Sequence, residues 1–202
     1  LTNYLFSAGT ARGGTGLMAH MLSVHPKVKV VSDPVLALYK AFRNSAVSQS
    51  GDAIKEHFDL ESPLGDYYFT DDRRRILDLI GSSDLNVEFD QKEWPNLKAT
   101  LKKRALLASA DIVPHIDALS GATYREIFEN CLAMLKRVRS GGADLDWIGI
   151  HENWTIEFFL PLARAFPSAK FAVVIRDPRA VITSNFREKD KSRIGHLVSY
   201  AR

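Results

Sequence analysis

Four glycines and one arginine stand together near the start of the chain, in Phe6-Ser-Ala-Gly-Thr-Ala-Arg-Gly-Gly-Thr-Gly-Leu17. An apolar run, Tyr4-Leu5-Phe6, precedes them, and a helix-like run from Leu17 to Leu22 follows. A glycine-rich turn between a strand and a helix leaves backbone N–H groups pointing outward at the positive end of the helix dipole. That arrangement binds anions, most often phosphate. Gly9 and Gly14 have the G-x-x-x-x-G spacing of a nucleotide loop, but Thr15 and Gly16 follow where an ATP or GTP enzyme has Lys and Ser/Thr. The lysine that reaches the outer phosphates and the hydroxyl that holds Mg²⁺ are both missing, which argues against a small-molecule kinase. What remains is a cradle for one phosphate with a cation, Arg12, fixed beside it.

A second basic site lies late in the chain. Arg176 ends an apolar run, Lys170-Phe-Ala-Val-Val-Ile175, and Ser184 lies eight residues after it, two turns into a helix pattern. Both can face the sheet edge that carries the glycine loop. Two anion sites on one edge suit a nucleotide with phosphates at both ends of its ribose.

These residues need strands and helices to hold them. Residues 2–8 and Lys27-Val-Lys-Val-Val31 read as strands, and Thr15 to Val24 reads as a helix stopped by His25-Pro26. Trp147-Ile-Gly-Ile150 is a third strand. Lys170 to Ile175 is a fourth, whose continuous apolar run suits the middle of a parallel sheet. Residues 35–145 carry helix patterns: Val35–Ala46, Arg73–Ile80 closed by Gly81, Asn96–Ala110, and a run behind the capping box Thr123-Tyr-Arg-Glu126 that ends at Gly141-Gly142. Ser48–Asp52 reads as a polar loop. Thr155–Phe166 and Ala180–Arg187 complete the helices. The expected fold is α/β: three layers of the P-loop type, with a mostly parallel sheet and a helical insertion at about 35–145 walling a substrate cleft. It forms one domain over residues 1–202. The chain begins at Leu1 inside a strand pattern and ends within a helix pattern, which predicts a piece of a longer protein, incomplete at its C-terminus.

Composition sets bounds on partners. Hydrophobic residues make up 46% and charged residues 25%, with a formal net charge of +3. That balance fits an anionic ligand and is too weak for a nucleic-acid partner. No run of about 18 apolar residues exists, so no membrane segment is expected. The single cysteine, Cys131, excludes an intrachain disulfide, lies on the apolar stripe of a helix and favours a reducing, cytoplasmic location.

At this point the two motifs resemble a known family. Gly9-Thr-Ala-Arg-Gly-Gly-Thr-Gly-Leu17 is similar to the donor loop of sulfotransferases that use PAPS (3′-phosphoadenosine 5′-phosphosulfate), commonly P-R-S-G-T-T-L. Val174-Ile-Arg-Asp-Pro-Arg-Ala-Val-Ile-Thr-Ser-Asn-Phe186 is similar to the family's 3′-phosphate motif, including the step from Arg176 to Ser184. Leu160 to Phe171 and His25-Pro26 resemble the bacterial and Golgi-type branches. The resemblance spans roughly 3–34 and 146–187.

The resemblance implies PAPS as donor, PAP as product and no metal. The acceptor would be a small molecule, carbohydrate or peptide presenting a hydroxyl or amine. Arg12, Gly13, Gly14, Thr15 and Gly16 would hold the 5′-phosphosulfate, and Arg176 and Ser184 the 3′-phosphate. Arg12 would also stabilise the transferring sulfonate. Asp33, after strand two, and His151, after strand three, are alternative bases for the acceptor, with Glu152 a third. Trp154 and Phe186 are candidates for stacking on adenine or lining the acceptor cleft, and Asp177 for capping the following helix or pairing with an arginine. The sequence departs from the pattern at three points. Ala11 and Gly13 replace the usual Pro and Ser, Gly16 replaces a Thr, and His151-Glu152-Asn153 stands where the family often has a Lys-Thr-Pro-like step. These departures support one alternative reading, a non-catalytic PAP- or nucleotide-binding domain.

Overall fold

The computed structural model describes residues 2–10, 12–50, 60, 71–153 and 155–185, with only the backbone of 182–185. Four strands, β1 (Asn3–Gly9), β2 (Val28–Ser32), β3 (Trp147–His151) and β4 (Lys170–Val174), form one sheet in the order β2-β3-β1-β4. Every pairing is parallel. The register aligns Ser7 and Ser32 with His151, and Gly9 with Val174, so all four strands finish on one edge.

Parallel strands need crossovers, and helices supply them. α1 (Thr15–Ser23) joins β1 to β2, with Gly14 at φ 95° as its N-cap residue. α2 (Leu36–Gln49), α3 (Arg73–Ser82), α4 (Trp94–Ala108) and α5 (Tyr124–Arg139) lie between β2 and β3. α6 (Phe159–Ala165) follows β3, and α7 (Pro178–Asn185) follows β4. One apolar cluster joins Phe6, Val31, Ile148 and Ile150 of the sheet to α2–α6. α1 packs on the other face, where the Ser23 hydroxyl bridges the N–H and C=O of Val30. The result is a three-layer α/β/α arrangement, as expected. The helical stretch between β2 and β3 is one layer of the common core.

α2 is the centre of that layer. Nine of its residues are buried, among them Leu38, Tyr39 and Phe42. Tyr39 meets Phe128 and Phe158 edge-on at 5.0 and 5.1 Å between ring centroids. Lys40 and Arg43 are also fully buried there, and Lys40 Nζ donates to the Leu60 carbonyl at 2.9 Å.

Several boundaries move. α3 runs through Gly81 to Ser82, and α4 starts two residues early because Pro95 suits a first helical turn. A 3-10 segment, Ala110–Ala118, holds Pro114 and has no periodic signal ahead of it. α2 continues through Ser48 to Gln49 with Ser50 as its C-cap, and residues 51–52 of the expected polar loop lie outside the described residues. The capping box at Thr123 forms: its hydroxyl accepts from Glu126 N–H at 3.2 Å, and the Glu126 carboxylate accepts from Ala122 N–H at 2.7 Å.

The largest correction concerns β4. The apolar run predicts a central strand, yet among the described residues β4 pairs only with β1 and stands at the sheet edge. Ile175 is 89% exposed. None of the five β4 residues is fully buried, so the continuous apolar run marks a strand without marking a central one.

Candidate active site

The aligned strand ends concentrate the chemistry. In open α/β sheets ligands bind beyond the carboxyl ends of the strands. Here those ends are followed by the glycine loop after β1, Asp33 after β2, Glu152 and Asn153 after β3, and Arg176 after β4.

The loop geometry follows from its glycines. A Cβ on Gly9 would come within 2.5 Å of the Thr15 side chain and 2.8 Å of the Val174 carbonyl, so only glycine lets β1, β4 and α1 meet there. Gly13 N–H donates to the Thr10 carbonyl at 2.9 Å, closing the turn. Arg12 takes φ 64°, a left-handed conformation that costs a non-glycine residue energy. Its carbonyl accepts from Arg176 Nη1 at 3.0 Å. Two motifs 164 residues apart are thereby in contact.

A cavity of about 440 Å³ opens at this point, lined by Arg12, Gly14, Thr15, Gly16, Ser32, Asp33, His151, Asn153 and Arg176. It gathers both cationic candidates, both leading base candidates and three of the four cradle residues. Gly13 is buried in the turn beside it. The structure brings Arg176 against the loop itself. The Ser184 side chain, Trp154 and Phe186 lie outside the described residues.

Asp33 is fixed through its backbone: it takes φ 51°, and its N–H donates to the His151 carbonyl at 2.7 Å. His151 is 1% exposed. Its Nδ1 sits 3.1 Å from the Ser7 hydroxyl, and its Nε2 is buried with no partner among the described residues. Burial pulls the imidazole below its ordinary value, against the opposing pull of Asp33, Ser7 and Asn153, so the ring is held toward its neutral form.

Glu152 is fully buried and is not among the residues lining the cavity, which removes it as a base that touches an acceptor. Asn153 is the residue that motif reading missed. Its Oδ1 accepts from the Thr15 hydroxyl at 3.2 Å, tying the end of β3 to the start of α1. The only signal for it in the sequence is its place in the His151-Glu152-Asn153 step.

The remaining residues take structural places. Asp177 accepts from Arg179 N–H at 2.8 Å and from its guanidinium at 2.6 Å, so it turns the chain into α7 and occupies Arg179. His25 Nδ1 accepts from Lys27 N–H. The Cys131 thiol is buried in α5 and pushed up to about 12 by desolvation, as a core cysteine should be. Arg73, Arg74 and Arg75 form an exposed face. Among the described residues no His/Cys/Asp/Glu group is placed to hold a metal, and no helix is long and apolar enough to cross a membrane.

The family model described as "Sulfotransferase family" matches residues 5–194, nearly the whole chain. The chain belongs to the sulfotransferase family. Membership makes sulfonate transfer the general chemistry of this fold and assigns the chain to the transferases. Comparison with curated proteins gives no match.

Proposed function

We propose that this sulfotransferase domain takes its sulfonate from PAPS and passes it to a hydroxyl or amine by in-line displacement. The observation that carries this reading is the single cavity that joins Arg12 and the loop to Asp33, His151 and Arg176. Its residues fit a 3′,5′-bisphosphate nucleotide. The cavity is lined by Gly14, Thr15 and Gly16 at the N-terminus of α1, where backbone amides favour an anion, and by the two arginines Arg12 and Arg176.

In this reading Arg12 and the amides of Gly13 to Gly16 hold the 5′-phosphosulfate, and Arg176 and Ser184 hold the 3′-phosphate. PAPS, when bound, supplies an activated sulfonate with a phosphate leaving group. Arg12 balances the charge that develops on the transferring group and the leaving oxygen. Asp33 takes the acceptor proton. It is half-exposed on the cavity wall, whereas the His151 ring is almost wholly enclosed. His151, held toward its neutral form and tied to Ser7, positions the floor of the site.

The helices between β2 and β3 select the acceptor, which is a small molecule, carbohydrate or peptide. The buried single thiol supports a cytoplasmic setting. No metal takes part.

A transfer assay with labelled PAPS and a broad acceptor panel tests the reading. Wild-type protein labels at least one acceptor, and Arg12→Ala lowers the rate by about 10²–10³, the usual cost of one charge-stabilising group. Binding of PAP without turnover on any acceptor, water included, would favour the non-catalytic reading that Gly16 and the absent lysine support. Mg²⁺-dependent ATP binding would favour a kinase.

A further inference from the structure

Glu152 is the most enclosed charged side chain at the strand ends, with 0% exposure. Its backbone N–H donates to the Ser7 carbonyl at 3.1 Å, and its carbonyl accepts from the Thr155 hydroxyl at 3.0 Å. Oε1 accepts from Val35 N–H at 2.6 Å, just ahead of α2. Glu152 therefore ties β1, the β2–α2 connection and the segment after β3 together. Oε2 is buried and has no donor among the described residues. The Asp33 side chain stands within hydrogen-bonding reach of the Glu152 carboxyl.

Two carboxylates in contact inside a protein cannot both stay ionised without a cation between them. The charged and titratable groups that act on Glu152 are Asp33 and, from α4, Arg104. Arg104 favours its charge, but less than burial and Asp33 oppose it. The Tyr39 hydroxyl on α2 feels Glu152 and is itself held well above its usual value. His151 feels Asp33 from the other side. The shared proton belongs on Glu152, the more buried of the two acids. There it gives Oε2 the hydrogen bond it otherwise lacks.

We propose that Glu152 is a protonated positioning residue, donating from Oε2 to the Asp33 carboxylate and so fixing the orientation and charge of the base. The proposal rests on the reading of Asp33 as the acceptor-activating base. A backbone held by His151 and a side chain held by Glu152 fix Asp33 at the cavity wall with acceptor sites to spare on its carboxylate. In the transfer step the Asp33 carboxylate takes the acceptor proton as the new S–O bond forms and the bridging S–O bond to phosphate breaks. Glu152 keeps its own proton throughout.

Two measurements on the intact chain test this. Infrared spectra at neutral pH should contain the carbonyl band of a protonated carboxylic acid in the wild type. That band should vanish in Glu152→Gln and shift in Asp33→Asn. Labelled PAPS with water as acceptor gives a second readout. Glu152→Gln keeps a donor to Asp33 and should retain hydrolysis within about threefold. Glu152→Leu removes it and should lower the rate by about 10²-fold, within the range for loss of general-base function. The acid limb of its pH profile should also move to higher pH.

Absence of the infrared band in the wild type overturns the proposal. So does a Glu152→Gln protein as inactive as Asp33→Asn, or a Glu152→Leu protein that is slower with an unmoved acid limb. Should Glu152→Leu fail to fold, the infrared band and Glu152→Gln still decide. If Asp33→Asn leaves hydrolysis unchanged, the base reading falls, and the band alone then decides whether Glu152 carries the proton.

Discussion

Gly16 occupies the second position of α1, beside the cavity, with nothing within 4 Å of where a Cβ would stand. The family pattern commonly places a hydroxyl here. A serine would therefore enter open space at the helix N-terminus and reach the same anion as the loop amides. Gly16→Ser should tighten PAP binding about tenfold, or about 1.4 kcal/mol, which lies within the range for one hydrogen bond to a charged group. Calorimetry against the wild type checks it, and an unchanged or weaker affinity would mean that the 5′-phosphate does not sit at this turn. The placement of Arg12, Asp33, His151 and Arg176 at one sheet edge was legible in the sequence because each follows a strand signal closely, and strand ends in a parallel sheet share an edge. The Asn153–Thr15 and Glu152–Val35 links were not legible. They join residues 138 and 117 positions apart, and only the folded register of β1, β2 and β3 brings them together.

At the scale of elements, local signals and sheet topology divide cleanly. The capping box at Thr123 was readable from four residues because its bonds are local, and α5 begins there. Thr123→Ala should cost about 1 kcal/mol in urea denaturation, the usual loss for an N-cap hydroxyl, with PAP affinity unchanged. A loss of PAP binding would instead show that α5 is coupled to the loop. The position of β4 was not readable, because strand order depends on pairings between segments more than 160 residues apart. The 3-10 segment Ala110–Ala118 escaped for another reason. Pro114 and the three-residue turn spoil the helical period that marks α4 and α5.

For the whole molecule, the strand-end cluster makes stability depend on pH in two opposite senses. Folded His151 lies below its ordinary value of 6.5, so the unfolded chain binds more protons as the solution is acidified. Its contribution is present above about pH 6.5 and is lost as pH falls through the folded value. Glu152 lies well above its ordinary value of 4.5, so the folded chain retains a proton that the unfolded chain releases. Its contribution is full below about pH 4.5 and is lost as pH rises through the folded value. Glu152→Gln should therefore flatten the fall in melting temperature as pH rises above about 4.5, and His151→Asn the fall as pH drops below about 6.5. Scanning calorimetry from acid to alkaline pH reads both slopes, and identical profiles in wild type and variants would refute the assignment.

The whole account turns on one nucleotide site assembled from the two ends of the chain, where Arg176 reaches the Arg12 carbonyl across a shared cavity. Isothermal titration of PAP tests it most directly. The wild type should bind PAP without added metal, and Arg176→Ala should bind about 2 kcal/mol or more weakly, the scale of one lost charge-assisted contact. Wild-type protein that gives no heat with PAP, or an Arg176→Ala protein that binds as tightly as the wild type, would contradict the account.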